Sequence, residues 1–208
     1  IRILSSNIKE TPLIADVCGP VSLAACLLDA KTLLKSMAKD PFGTHGLLEL
    51  LSKNTLDYAV ALKENGADAV FITDNFSPAL TLGRPFFREY ALRYLNVLCD
   101  GLREAGCLSI AHLCSDVAGL TAEIQDLRSD CVSVDSETSL RLLKESLPGR
   151  KIMGSIKAEA FFGDSFLDAR QEVSALKQTL PDIVAPSCGI TREARLPAFR
   201  EVRDILSG

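Results

Sequence analysis

Short apolar runs alternate with longer amphipathic stretches along the chain. The runs Pro12–Val17, Ala69–Thr73, Leu108–His112, Cys131–Asp135, Lys151–Ile156 and Ile183–Pro186 have strand length, and each is followed by a segment with apolar residues at helical spacing. Helix boundaries carry their usual chemistry: Gly19-Pro20 opens a helix rich in Ala and Leu, and Asn65-Gly66 and Ala105-Gly106 close helices. The stretch from Ser139 to Glu145 runs amphipathically into Pro148-Gly149. Strand and helix in strict alternation, with short connections, predict an α/β fold built on a parallel sheet. No low-complexity tract or linker divides the chain, so residues 1–208 are expected to form one domain. A (βα)8 TIM barrel has eight units and about 250 residues. Six units are visible here, and Ile1–Ile8 reads as the tail of a helix, so an N-terminally incomplete barrel with about two strands before Ile1 is expected. The sheet edges of such a barrel would favour pairing with another chain, as a homo-oligomer, a swapped assembly or a binding fragment without catalysis.

Composition narrows the function classes. With 208 residues, 47% of them hydrophobic, the chain can bury a sizeable core. The formal net charge is −4, the signs are mixed, and no basic aromatic-rich stretch occurs, which argues against nucleic acid as a partner. Neither an apolar run long enough to span a membrane nor a charged-then-apolar leader is present, so a cytoplasmic protein without membrane association is expected. Seven cysteines form no regular framework, and free thiols fit better than disulfides. Cys26 and Cys99 fall in helical apolar patterns and Cys107 and Cys131 at strand beginnings, where burial as small hydrophobes is expected.

The candidate chemistry centres on His112-Leu113-Cys114. Residues i and i+2 of a strand share a face, so the imidazole and the thiol converge. Cys188, in Pro186-Ser187-Cys188-Gly189-Ile190 at the end of the last apolar run, could supply a third ligand. Three nitrogen and sulfur ligands outline a catalytic zinc site with a fourth position left for a water or a substrate thiol. Taken singly, His112 could be a core histidine and Cys114 a buried thiol; it is their coincidence at strand ends with Cys188 that favours the metal. Asp74, at another strand end, is a weaker catalytic candidate, and Asp16 could equally be a loop or capping residue. His45, at a helix start, reads as structural. Phe86, Phe87, Tyr90 and Tyr94 have helical spacing and read as core. Arg84 could meet an anionic substrate.

Several segments together carry a family resemblance. Gly19–Ala25, Glu64–Val70, Asp74, His112-Leu113-Cys114, Ser133-Val134-Asp135, Gly154 and Ala185–Ile190 resemble, in order and spacing, the uroporphyrinogen decarboxylase superfamily. Within it the chain looks like the zinc-dependent methylcobamide:coenzyme M methyltransferases, because Cys188 stands where the decarboxylase branch has a His-Gly-Ile-like sequence and that branch lacks the H-x-C pair. The resemblance implies a (βα)8 barrel and zinc held by His112, Cys114 and Cys188. It implies a thiolate that attacks the methyl group of a methylcobamide on a corrinoid protein, with a small thiol such as coenzyme M as acceptor. Asp135 is then a fourth ligand displaced by substrate or a partner that orients His112. The alternative is a metal-free tetrapyrrole decarboxylase of the same fold. Two departures bear on the substrate: Ser115 follows the H-x-C where the family usually has Gly, and Lys157–Ala160 replaces a Pro-containing turn.

Overall fold

The computed structural model describes residues 1–77, 79–162, 167–179 and 181–207, with the backbone alone at 79, 80, 167 and 168. Five strands, β1 (Ile14–Cys18), β2 (Ala69–Thr73), β3 (Leu108–Leu113), β4 (Cys131–Val134) and β5 (Lys151–Met153), form one parallel sheet whose spatial order is their sequence order. That sequential order is the arrangement of a (βα)8 barrel wall. Helix α1 (Arg2–Asn7) precedes β1; α2 (Pro20–Leu28), α3 (Ala30–Lys39) and α4 (Pro41–Glu64) lie between β1 and β2. Between β2 and β3 run α5 (Ala79–Phe86), a π-helical turn over Phe87–Leu92 and α6 (Arg93–Glu104). Then α7 (Thr121–Asp126) follows β3, α8 (Leu140–Ser146) follows β4, α9 (Leu167–Leu176) follows β5, and α10 (Leu196–Ser207) closes the described order. Among the described residues no helix is long and apolar enough to cross a membrane.

The sheet's outer face makes the core. Val17, Val70, Ile72, Ala111, Leu113, Val132 and Ile152 are buried against the helices. The aromatic set read as core is core: Phe87, Tyr90 and Tyr94 are buried, and Tyr90 donates its hydroxyl to the Met37 carbonyl of α3 at 2.8 Å. His45, in the first turns of α4, stacks on Tyr90 and reaches the Tyr94 hydroxyl at 2.9 Å and Glu89 at 3.0 Å.

Two expectations need correction. The run Ile183–Pro186 is not a continuous strand: it lies beside β5 in parallel through two separate bridges, Met153 with Ile183 and Ile156 with Pro186. The interruption falls at Gly154, whose φ of 155° bends the chain where an added Cβ would lie 3.1 Å from the Val134 carbonyl oxygen. Cys99, Cys107 and Cys131 are buried as expected, but Cys26 is exposed, because α2 buries Pro20, Val21 and Ala24 and Cys26 lies off that stripe. Arg84 is committed to a protein partner, donating to Glu123 at 2.8 Å.

Candidate metal centre

Strand register explains the site. Cys18, Thr73, His112, Ser133 and Met153 are successive partners across the five strands, so their side chains form one inward-facing row near the carboxyl ends of the strands. Barrel enzymes assemble their chemistry at this end. One row below, Asp16 pairs with Phe71 in register. A cleft of about 500 Å³ opens onto this face and is lined by Asp16, Phe71, Thr73, His112, Met153 and Cys188, among others.

The structure brings His112, Cys114 and Cys188 together: their ligand atoms all lie within 4.8 Å of one another. His112 is 3% exposed. Its Nδ1 lies 3.0 Å from the hydroxyl of Ser133, its register neighbour, and Phe71 stacks on the ring at 5.5 Å. With Nδ1–H donated to that hydroxyl, Nε2 carries the free lone pair, and Nε2 is buried without a hydrogen-bond partner. A buried unpaired nitrogen beside two thiols is a donor set that fits a thiophilic divalent cation such as zinc. Burial lowers the His112 pKa, against the opposing pull of Asp135 and Asp16, which favours the neutral imidazole a metal requires.

Cys114 leaves the end of β3 and Asp135 the end of β4, side by side above the His112–Ser133 pair. The Cys114 thiol donates to Asp135 Oδ2 at 3.4 Å and lies 3.9 Å from the Cys188 sulfur. Burial, the Cys188 thiol and the Asp135 carboxylate together push the Cys114 thiol up to about 12. Burial also works against ionised Asp135, but hydrogen bonds from the Cys114 thiol, the Ser136 hydroxyl and the amides of Ser115 and Glu137 outweigh it and hold its carboxyl below the ordinary range. Ionising Cys114 would thus set a second negative charge against Asp135, so the thiol keeps its proton. A cation placed among these groups would favour the thiolate, which is the electrostatic side of the same fit.

Asp74 does not join them. It follows Thr73 by one residue and therefore points to the opposite face of β2, where it is fully buried against the start of α2. Its Oδ1 accepts from the Ser22 amide at 2.7 Å, while its Oδ2 has no partner. Gly19, the N-cap of α2, has no side chain to cap with, and an added Cβ there would fall 2.4 Å from the Asp74 Cβ. Asp74 therefore caps α2 from a distant strand. Burial raises its pKa to about 6 against those hydrogen bonds.

Asp16 belongs to β1 rather than to a loop or cap. It accepts a 2.5 Å hydrogen bond from the Thr73 hydroxyl and lines the cleft. The sequence signal was present: a lone carboxylate within an apolar strand, two residues before Cys18, on the parity that faces the His112 row.

Ser115 adopts a left-handed conformation with φ of 65°, the geometry glycine takes without strain. Its hydroxyl donates to the Cys114 carbonyl at 2.6 Å, and the Thr138 hydroxyl donates to the Ser115 carbonyl at 3.2 Å. The turn that presents Cys114 thus keeps a serine in a glycine's place by local hydrogen bonding. Ser115→Val is expected to lower stability by about 1–2 kcal/mol in urea unfolding, whereas Ser115→Gly is expected not to. Equal losses in both variants would show that the backbone strain is absent.

Residues 1–206 match the family model for uroporphyrinogen decarboxylase (URO-D). The methylcobamide:CoM methyltransferase MtbA of Methanosarcina acetivorans is 25% identical over 195 residues, covering 91% of this chain and 56% of that protein. A uroporphyrinogen decarboxylase of Chloroflexus aurantiacus is 29% identical over 144 residues, covering 65% of this chain and 40% of that one. The chain therefore spans about half the length of the curated relatives it matches. A solved methyltransferase from Methanosarcina mazei superposes with a TM-score of 0.90 at 20% identity over 100% of this chain and 63% of that one, which identifies the fold as the same.

Proposed function

We propose, from the premise that this chain belongs to the uroporphyrinogen decarboxylase family, that it is a zinc-dependent methyltransferase moving a methyl group from a methylated corrinoid to a small thiol such as coenzyme M. The observation that carries the reading is the convergence of His112, Cys114 and Cys188, which a metal-free decarboxylase has no chemical reason to assemble. The methyltransferase relatives, matched over most of this chain, support it.

Bound zinc would supply the positive charge that keeps a neighbouring thiol ionised at neutral pH. The residues divide the remaining work. Ser133 holds Nδ1 of His112, so Nε2 faces the cluster. Cys114 and Cys188, as thiolates, would hold the ion with His112 and keep an acceptor sulfur nucleophilic. Asp135, within reach of Cys114, would be either a further ligand that substrate displaces or a partner that orients His112. The acceptor thiol gives up its proton and its sulfur forms a bond to the methyl carbon. The cobalt–carbon bond breaks with its electron pair left on cobalt, which passes from Co(III) to Co(I). A corrinoid protein is the partner that would present this methyl group at the open end of the strands. The whole chain acts as one barrel domain in this reading, and its seven free thiols suit the reducing cytoplasm.

The test is zinc-loaded protein mixed with methylcobalamin and a panel of small thiols. Loss of the methylcobalamin spectrum with formation of the methyl thioether, dependent on both zinc and thiol, is the expected result. Decarboxylation of uroporphyrinogen by metal-free protein, with no demethylation, would transfer the reading to the decarboxylase.

A further inference from the structure

The amino ends of the strands repeat one arrangement three times among the described residues. Asp68, Asp130 and Asp182 each open a strand-like run, in Asp68-Ala69-Val70, Asp130-Cys131-Val132 and Asp182-Ile183-Val184. Each donates its own amide to the carbonyl of a residue at the amino end of the preceding strand, Leu13 at 2.8 Å, Ser109 at 3.0 Å and Ile152 at 2.8 Å. Its carboxylate then accepts the amide of that same residue, at 2.7, 2.8 and 3.0 Å. The second of these bonds is charge-assisted, so each aspartate staples two neighbouring strands together. A staple fixes which residue lies opposite which, and every side chain above it follows at the two-residue repeat.

Counting up from the staples reaches the metal centre. Three residues beyond Ser109 and Asp130 stand His112 and Ser133, and five beyond stand Cys114 and Asp135, the two pairs in contact. Asp16 and Cys18 follow Leu13 at the same intervals, and Ile14–Cys18 repeats the Ile-Ala-x-x-Cys of Ile110–Cys114, yet neither belongs to the ligand cluster. The third staple carries Cys188, six residues beyond Asp182. Here the run meets β5 through separate bridges at Ile183 and Pro186 instead of a continuous ladder, so its register rests on few bonds and Asp182 supplies the lowest of them. Lys151 reinforces it with an ion pair at 2.8 Å, and that ammonium and the Ile152 amide hold the Asp182 carboxyl below the ordinary range. A slip of one residue would carry Cys188 about 3.3 Å along the chain. The ligand atoms all lie within 4.8 Å of one another, so such a slip would take one thiol out of the cluster.

We propose that Asp182 is a positioning residue for the metal centre: by locking onto Ile152 it sets the register that brings Cys188 to His112 and Cys114. The proposal rests on the metal-thiolate reading above and adds to it a residue at the opposite end of the strands.

Cobalt(II)-substituted protein provides the test, because Cys114 and Cys188 would each contribute thiolate-to-cobalt absorption. Asp182→Ala is expected to lower that absorption to about half per bound cobalt, the level of Cys188→Ala, and to weaken zinc binding about tenfold. Adding Asp182→Ala to Cys188→Ala should change the spectrum no further, since the thiol it positions is already gone. Asp182→Asn, which keeps an oxygen for the Ile152 amide, should retain the wild-type spectrum. Asp68 is the internal control: its staple is the same and its two strands carry no ligand, so Asp68→Ala should lower the urea midpoint and leave the spectrum unaltered. If Asp182→Ala does not fold, Asp182→Glu replaces it, its longer side chain displacing the carboxylate from the Ile152 amide, with the same loss expected. An unchanged spectrum in the Asp182 variant, or an equal change in Asp68→Ala, would overturn the positioning role and leave the metal centre standing. Absence of thiolate-to-cobalt absorption from the wild type would overturn both.

Discussion

Cys114→Ala is expected to weaken zinc binding by about 10²- to 10³-fold, since it removes roughly a third of a binding free energy on the order of 10 kcal/mol shared among three protein ligands. Cys188→Ala and His112→Ala should do the same. The proton count separates ligand loss from general damage. Cys114 stands near 12 without a metal because burial, Cys188 and Asp135 all oppose its ionisation. Zinc binding at neutral pH should therefore release about two protons from the wild type and about one from Cys114→Ala, measurable by calorimetry in buffers of different ionisation enthalpy. Ser133→Ala, which frees Nδ1 of His112 but leaves all three ligands, should cost about 10-fold to 100-fold. Competition with a chromophoric chelator reads all of these affinities. Stoichiometric zinc of undiminished affinity in both cysteine variants would end the case for this centre.

The second large effect concerns stability and comes from Asp74. Its carboxyl is raised from 3.8 to about 6, chiefly by burial and in spite of the α2 amides that bind it. A folded-state value above the unfolded one means that the native protein holds this proton more tightly. The associated stabilisation is therefore full below about pH 4 and is lost as pH rises through about 6. Over roughly two pH units the loss is on the order of 2–3 kcal/mol. Asp74→Asn keeps an oxygen for the Ser22 amide and cannot ionise. Urea unfolding should show the two proteins nearly equal at pH 4 and the variant more stable at pH 7.5. Other carboxylates, such as Asp182 held low by Lys151, change stability in the opposite direction but do so equally in both proteins, so the difference isolates Asp74. Parallel pH profiles would mean that the carboxyl is not buried as the structure shows.

One-residue parity along the strands decides both effects. Thr73 faces the cleft and Asp74 the helices, although both close the same strand and both are polar. The apolar run Ala69–Thr73 marked the strand but carried no statement of which face was inner, because β2 is apolar on both sides, as strands covered by helices are. His112 and Cys114 were easier, since their relation is local and needs only the two-residue repeat. The pairing of Arg84 was not legible for a different reason: its partner Glu123 lies 39 residues away, on another helix.

What the amino-acid sequence determined by itself is what short-range physics can encode. The periods of the apolar pattern and the glycine and proline punctuation set the alternation of parallel strands and helices, six strand-like runs of which five form the sheet, and the i, i+2 spacing put an imidazole and a thiol on one side of the chain. Only the tertiary structure decided which carboxylates face the metal centre, that Ser133 holds His112, that Cys188 comes to 3.9 Å from Cys114, and that the last apolar run meets β5 at two bridges. Each of these depends on register between segments 21 to 74 residues apart. Register is set by the packing of the sheet as a whole, and no local pattern within either segment contains it.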